Sequence, residues 1–331
     1  MTGNQRPDDA LLSIVAPVYN EAAIVDEFVD ELRRCRSGLK SMARFEIVLV
    51  DDGSTDGSAE RLDALAARYP DEIEVLHLAR NFGHIAAVAA GLDHASGDAV
   101  ILMDSDLQDD PAAFAGMVEK WREGYAVVYA VRSSRQESVV RRLAFRAFYR
   151  LVRALSDTPM PLDAGNFSLM DRRVVEVIRS VPERNRYLPG IRAWVGFRQI
   201  GFPVPRRPRP DRASRVGWQG LWKLSMNAVF SFSYVPLAVF RFIGVVSIGL
   251  STLVMVFVLY HKLVTHLAVP TWTSQMLAIW FFGGINIFGI GILGEYVARI
   301  YDEMKGRPLY VVAARVSRGK VEGGRRKVED R

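Results

Sequence analysis

Asp104, Asp106 and Gln108 have the chemistry of a hard-cation site: two carboxylates two residues apart and an amide oxygen two further on. Oxygen donors of this kind suit Mg²⁺ or Mn²⁺, and such an ion is ordinarily shared with substrate phosphates. The triplet follows the apolar run Val100-Ile-Leu-Met103 and precedes Asp109, Asp110 and Pro111. That run predicts a short buried strand, Ala99 to Met103, ending in acidic groups at a sheet edge, where open α/β sheets hold their ligands. The plain structural alternative is a solvated acidic turn capping a helix that starts near Pro111. Two more polar stretches follow apolar runs, Asp51-Asp-Gly-Ser-Thr-Asp-Gly-Ser58 and Ala79-Arg-Asn-Phe-Gly-His84. Arginines supply the opposite charge. Arg132 ends a strand-like run, and Pro205 to Arg215 carries five arginines and three prolines, a basic loop that is either a linker or a phosphate clamp.

The elements that must position these groups can be read from periodicity. Strand-like runs cover Leu11–Val18, Phe45–Val50, Glu74–Leu78, Ala99–Met103 and Tyr125–Val131. Helical patterns follow to about Leu39, then over 59–69, 85–95 and 111–123, with another at 172–179. Alternation of this kind predicts an α/β fold with a mostly parallel, doubly wound sheet. From Val139 to Leu155 the pattern becomes amphipathic, with Arg141, Arg142, Arg146, Arg150 and Arg153 between apolar positions. It fits a helix lying on a membrane surface or, more plainly, a core-packed helix with a solvated basic face. The membrane segments further on favour the surface. Trp218 to Tyr234 is a second amphipathic, aromatic stretch.

Half of the 331 residues are hydrophobic, and the excess lies after residue 234. Phe242–Tyr260 and Met276–Gly294 are uncharged runs of about 19 residues, each enough for a bilayer span. Lys262 is the only formal charge in the loop between them, whereas Arg241, Arg299, Lys305 and Arg307 flank the pair. The positive-inside rule then places both termini in the cytoplasm. The expected organisation is a cytosolic domain over 1–230, with juxtamembrane helices at 139–156 and 216–234. Two transmembrane helices within 235–300, about 236–260 and 274–298, and a basic tail over 301–331 complete it, with Val316 to Arg331 expected to be disordered. The net charge of +6 points to anionic lipid or phosphate partners. Nucleic acid is not expected, because the basic segments adjoin the spans. Cys35 stands alone, which excludes an intrachain disulfide and a cysteine zinc site and fits a reducing compartment. The polar N-terminus carries no signal-peptide pattern.

Taken together, the stretches Ala16-Pro-Val-Tyr-Asn-Glu21, Val50-Asp-Asp-Gly-Ser-Thr-Asp-Gly57, Arg80-Asn-Phe-Gly-His84 and Met103-Asp-Ser-Asp-Leu-Gln-Asp109 resemble glycosyltransferase family 2, the inverting GT-A transferases. Ala193-Trp-Val-Gly-Phe197, Ser231-Phe-Ser233 and the two apolar runs narrow the resemblance to bacterial polyprenyl-phosphate glycosyltransferases related to dolichyl-phosphate mannose synthase. The resemblance spans roughly residues 11 to 305 and rests on the order and spacing of the motifs. It implies a GT-A catalytic domain, Rossmann-like, with a C-terminal two-helix hairpin. Pro17, Tyr19, Glu21 and Asp52 would hold base and ribose, and Asp104 would contact nucleotide and metal. Asp106 and Gln108 would complete the coordination of Mg²⁺ or Mn²⁺. Arg132 would lie near the transferred phosphate and sugar, with Arg146 and one of Arg209, Arg212 or Arg215 receiving the lipid phosphate.

The implied activity is inverting transfer of a sugar, UDP-glucose favoured, to a polyprenyl phosphate such as undecaprenyl phosphate, for cell-envelope glycan modification. Asp163 is the candidate base or sugar-hydroxyl binder, or else the cap of a turn. The implied setting is the bacterial inner membrane, multi-pass, in a homotetramer surrounded by membrane lipids. The chain departs from the family pattern at Asp163-Ala-Gly-Asn166-Phe-Ser168, where Asp-x-Gly-Asp-Phe-Arg is usual, and at Leu188-Pro189-Gly190, where arginine often precedes the glycine. Arg215-Val-Gly-Trp-Gln219 likewise replaces the usual Gly-x-Ser-Lys-Tyr form. These changes bear on the sugar, leaving GDP-mannose or another donor as alternatives, and a non-catalytic membrane partner as a further one. A processive polysaccharide synthase is disfavoured, since its Gln-x-x-Arg-Trp motif is absent.

Overall fold

A computed structural model describes residues 6, 9–39, 42, 44–132, 164–184, 186, 188–205, 235–260, 263–264, 272–317 and 320–323. They fall into two compact units, one formed by the residues up to 205 together with 307–323, the other by 235–306.

The first unit is built on a nine-stranded sheet. Its strands in chain order are β1 (Leu11–Val18), β2 (Arg44–Asp51), β3 (Ile73–Leu78), β4 (Ala99–Leu102), β5 (Val127–Arg132), β6 (Ala164–Asp171), β7 (Gln199–Val204), β8 (Val312–Ser317) and β9 (Lys320–Gly323). Their spatial order is β7-β5-β6-β4-β1-β2-β3-β8-β9. The centre is parallel: β1 lies between β2 and β4, and β3 joins β2. β6 enters antiparallel between β4 and β5, while β7 runs parallel to β5. The carboxyl ends of β1 to β5 and β7 and the first residue of β6 therefore share one sheet edge. The α/β class and the parallel arrangement expected from the alternation are both present. Strand β6 escaped the periodicity reading, and so did β7.

Helices α1 (Val25–Cys35), α2 (Ser58–Arg68), α3 (His84–His94), α4 (Ala113–Arg122), α5 (Arg172–Ser180) and α6 (Leu188–Trp194) cover the sheet. Alternate strand residues feed two apolar layers, as the pleat requires. Ile14, Leu49 and Ile101 pack with Phe28, Leu62 and Phe114 on one face. Val15, Val50 and Val100 pack with the small residues of α3 and with Val174 and Ile178 of α5 on the other. Central strands buried on both faces read as continuous apolar runs, which is why they were legible. Several arginines are structural. Arg172 donates to the Ala95 and Gly97 carbonyls, and Arg179 to those of Leu92 and Ala95, closing the carboxyl end of α3. At the edge opposite the β-to-α loops, buried Asp171 accepts from Trp121 Nε1 at 2.9 Å and pairs with Arg6 at 3.3 Å.

The tail expectation is corrected. Val316 and Ser317 belong to β8, which runs antiparallel to β3, and residues 320–323 form β9 beside it. Their polarity suits an edge hairpin, where one face is solvated. Tyr310 Oη donates to Asp93 at 2.8 Å, and Arg315 pairs with Glu74 at 2.8 Å.

The second unit holds α7 (Val235–Tyr260) and α8 (Trp272–Met304). Among the described residues one stretch, Ala278–Met304, is long and apolar enough to cross a bilayer, and only 6% of the window that meets this test is buried. The apolar part of α7, Phe242–Val254, is shorter than a span. Both helices expose large apolar side chains, among them Phe242, Leu253, Phe281 and Phe288.

Candidate active site

The loops after β1 and β2 are tied together by their own polar side chains. Ser54 Oγ accepts from Asn20 N at 3.0 Å, and Asn20 Oδ1 accepts from Thr55 N at 2.8 Å. Ser58 Oγ accepts from Glu21 N at 2.9 Å, and Asp56 from Ala22 N at 3.1 Å. Asn20 adopts a left-handed φ of 54°, which its amide side chain tolerates better than most. Tyr19 and Glu21 thus stand on an ordered loop just beyond Pro17 of β1, with Tyr19 exposed.

Asp52 directly follows β2 and faces the next loop. Its carboxylate accepts from Phe82 N at 2.7 Å and Gly83 N at 3.0 Å. Burial lifts its pKa above the ordinary value, and these two bonds offset that only in part. Asp51 behaves oppositely. Burial again opposes its ionisation, but bonds from His77 and Ser54 outweigh it and hold the carboxyl below its ordinary value. Gly83 has φ +97°, open to glycine, and leads directly into α3, whose amino end faces the same edge.

Asp104 follows β4. Ser105 Oγ donates to the Pro17 carbonyl at 2.9 Å, tying this loop to β1, and Gln108 N donates to Asp106 Oδ1 at 3.2 Å. Leu107 is buried in a left-handed conformation, φ 57°, between Asp106 and Gln108. Three separate motifs then meet. His84 Nε2 lies 3.6 Å from Asp104 Oδ1 and 3.1 Å from Asn166 Nδ2. Asp104 and Asn166 also line one pocket with Asp109, Ala130, Gly165, Phe167, Val204 and Pro205. Arg132 closes β5 opposite Val204 of β7, at that same edge.

One departure, Ser168, has a local partner. Ser168 is fully buried within β6 and satisfies its hydroxyl on the Asn166 carbonyl at 2.9 Å. Arg192 of α6, also buried, donates to the Gly165 carbonyl at 3.3 Å and so supports the pocket from beneath. Sequence reasoning did not single out His84, Asp109 or Arg192. The first two lay inside motifs already quoted, so the signal was there; for Arg192 there was none. Asp163, Arg146, Arg209, Arg212 and Arg215, and the helices expected over 139–156 and 216–234, lie outside the described residues.

Among the described residues no three His, Cys, Asp or Glu side chains gather so as to hold a metal ion unaided. Two carboxylates and an amide oxygen at a half-exposed edge still fit a divalent ion that completes its shell with substrate oxygens. The donor set suits a shared ion, not a closed cage.

Comparison with known proteins identifies the family. The family model described as glycosyl transferase family 2 matches residues 13–179. An uncharacterized glycosyltransferase of Synechocystis sp. is 39% identical over 304 residues, covering 91% of this chain and 94% of its own. A prophage-derived bactoprenol glucosyl transferase of Shigella flexneri is 39% identical over 303 residues, covering 91% and 97%. Among solved structures, a mannosyltransferase of Pyrobaculum calidifontis in complex with GDP-Man and Mn²⁺ is 21% identical, with a TM-score of 0.44 over 67% of this chain and 63% of that one.

Proposed function

Because the chain belongs to glycosyl transferase family 2, we propose that it transfers a hexose from a nucleotide sugar, UDP-glucose in the first instance, to the phosphate of a polyprenyl phosphate. The observation that carries this reading is that His84 lies against both Asp104 and Asn166, two residues that line one small cavity, beside the tied loops after β1 and β2. The acceptor class rests on relatives named bactoprenol glucosyl transferase, which match along nearly their whole length.

In this reading Pro17, Tyr19, Glu21 and Asp52 hold base and ribose, Asp52 also fixing the loop before α3. Asp104, Asp106 and Gln108 would hold Mg²⁺ or Mn²⁺, which when bound supplies Lewis-acid stabilisation to the diphosphate. The acceptor phosphate is largely ionised near neutral pH, with a second pKa of about 6, so it needs little help from a base. One of its oxygens attacks the anomeric carbon while the bond to the diphosphate oxygen breaks, and the nucleoside diphosphate leaves with that electron pair. In-line displacement inverts the anomeric centre, so an α-linked donor gives a β-linked product. The chain's main task is to hold two anions in line. Arg132, Arg146 and an arginine among 209, 212 and 215 are assigned to screen their repulsion and align the attack. Asp163 is assigned to a sugar hydroxyl or to the attacking group.

We assign the sheet-based unit to the cytoplasmic side of a bacterial inner membrane and the two-helix unit to the bilayer, both helices spanning, in a homo-oligomer. The test is a donor panel: purified full-length protein, undecaprenyl phosphate, Mg²⁺ or Mn²⁺, and UDP- and GDP-sugars. One donor should be consumed, and Asp106→Ala should reduce the rate by about 10²-fold or more, the scale of losing a group that stabilises a developing charge. If the unmodified protein consumes no donor, the transferase reading fails in favour of a non-catalytic membrane partner, which the Asn166 substitution would suit.

A further inference from the structure

We propose that His77 is a positioning residue for the donor site: held between Asp51 and Asp63, it fixes the carboxylate that organises the loops after β1 and β2. The inference rests on reading those loops as the nucleotide site.

Parallel register places His77 of β3 beside Asp51 at the end of β2. Its Nδ1 lies 3.0 Å from Asp51 Oδ2 and its Nε2 lies 2.9 Å from Asp63 Oδ1 on α2. An ionised carboxylate only accepts, so the ring satisfies both partners when both nitrogens carry protons. The second oxygen of Asp51 accepts from Ser54 N at 2.9 Å. Ser54 Oγ in turn holds Asn20 N at 3.0 Å, and Asn20 Oδ1 holds Thr55 N. A short chain of bonds therefore runs from His77 to the left-handed turn between Tyr19 and Glu21. Removing His77 would leave a buried carboxylate half satisfied and free to turn from Ser54.

The charges facing the ring are few. Asp51 comes from β2 and Asp63 from α2. From β8 the residue opposite is Ala314, and Arg315 next to it is bonded to Glu74. Asp51 acts on Asp52, and among the described residues only Asp51 and Asp63 act on the ring. The bond to Asp51 raises the His77 pKa against the effect of burial, and Asp63 adds to it. A raised histidine contributes fully below its ordinary value of 6.5 and is lost as pH rises through the folded value. Asp51, held low, contributes above its ordinary 3.8 and is lost as pH falls through its folded value. The arrangement is complete between those limits and opens first on the alkaline side.

The experiment measures UDP and GDP binding to the full-length protein by calorimetry from about pH 6 to about pH 9, with hydrogen exchange of the Ser54 and Thr55 amides alongside. Wild-type affinity should fall about fivefold across that range, the scale of one net hydrogen bond. His77→Leu should bind about fivefold more weakly than wild type near pH 6, show a flat profile that the wild type approaches near pH 9, and exchange Ser54 faster. His77→Gln, which keeps one donor for Asp51 and cannot titrate, should recover most of the affinity and show a flat profile. Unchanged affinity and exchange in His77→Leu, or a wild-type pH profile persisting in His77→Gln, would overturn the inference. If His77→Leu does not fold, the His77→Gln profile decides. If the unmodified protein binds neither nucleotide, the proposed function fails, and Ser54 exchange still decides whether His77 holds the loop.

Discussion

A β-carbon built on Gly53, whose φ is +68°, would lie 2.5 Å from the Arg80 carbonyl carbon and 2.6 Å from the Asn81 nitrogen. Both are main-chain atoms, so no rotamer change relieves the contact. The loop after β2 is pressed against the loop that delivers His84, and only glycine permits it. Gly53→Ala should cost at least about 1–3 kcal/mol of stability, read by urea denaturation, and weaken nucleotide binding at temperatures where the variant is still folded. A variant as stable as the parent, binding equally well, would mean the loops do not rely on this contact. At this scale the sequence showed which residues carry polar chemistry, but not what each one does. Asp51 is the last residue of β2 and Asp52 the first beyond it, and their side chains part company there. One reaches His77 and the other the amides of Phe82 and Gly83. Reading Asp-Asp-Gly-Ser as one acidic turn could not separate them. The same holds for Asn166: its departure from the family pattern was visible, but its neighbour His84 is 82 positions away and is brought near by strand order alone.

Among elements, the parallel centre β3-β2-β1-β4 was the most legible part, because strands buried on both faces are written as plain apolar runs. Strand β6 was not. Its residues Ala164–Asp171 include Gly165, Asn166 and Ser168, and its place between β4 and β5 follows from tertiary pairing rather than from composition. The C-terminal hairpin was misread for a related reason, since a solvated edge strand has the polarity of a tail. It nevertheless contributes to the sheet-based unit: β8 covers the edge of β3, Val311 O accepts from Ala79 N at 2.9 Å, and Tyr310 reaches Asp93 on α3. Removing residues 307–331 should lower the melting temperature by on the order of 5–10 °C, while Tyr310→Phe should cost only about 1 kcal/mol. Equal melting of the truncated and full-length chains would show that the hairpin adds nothing to the unit.

At the scale of the whole molecule, the sequence already divided a charged α/β part from an apolar helical part. The structure adds that the chain rejoins the sheet after the helices, with 307–323 in the same unit as 9–205. A linear plan of domain, anchor and tail cannot express such a return, because nothing in local pattern marks which strand edge a late segment will find. The candidate site follows the same division: one unit carries the cluster of Asp104, His84 and Asn166, and the other the stretch Ala278–Met304 that can cross a bilayer. In the proposed reaction a sugar leaves a nucleotide and arrives on a lipid phosphate. The most direct measurement is product analysis after incubating the purified full-length protein with the donor it consumes, undecaprenyl phosphate and Mg²⁺ or Mn²⁺. A β-linked polyprenyl-phosphate sugar should form, identified by mass and by the anomeric coupling to phosphorus, only with the lipid present and about 10²-fold or more slowly with Asp106→Ala. Release of free sugar and nucleoside diphosphate without any glycolipid, or an α-linked product, would contradict it.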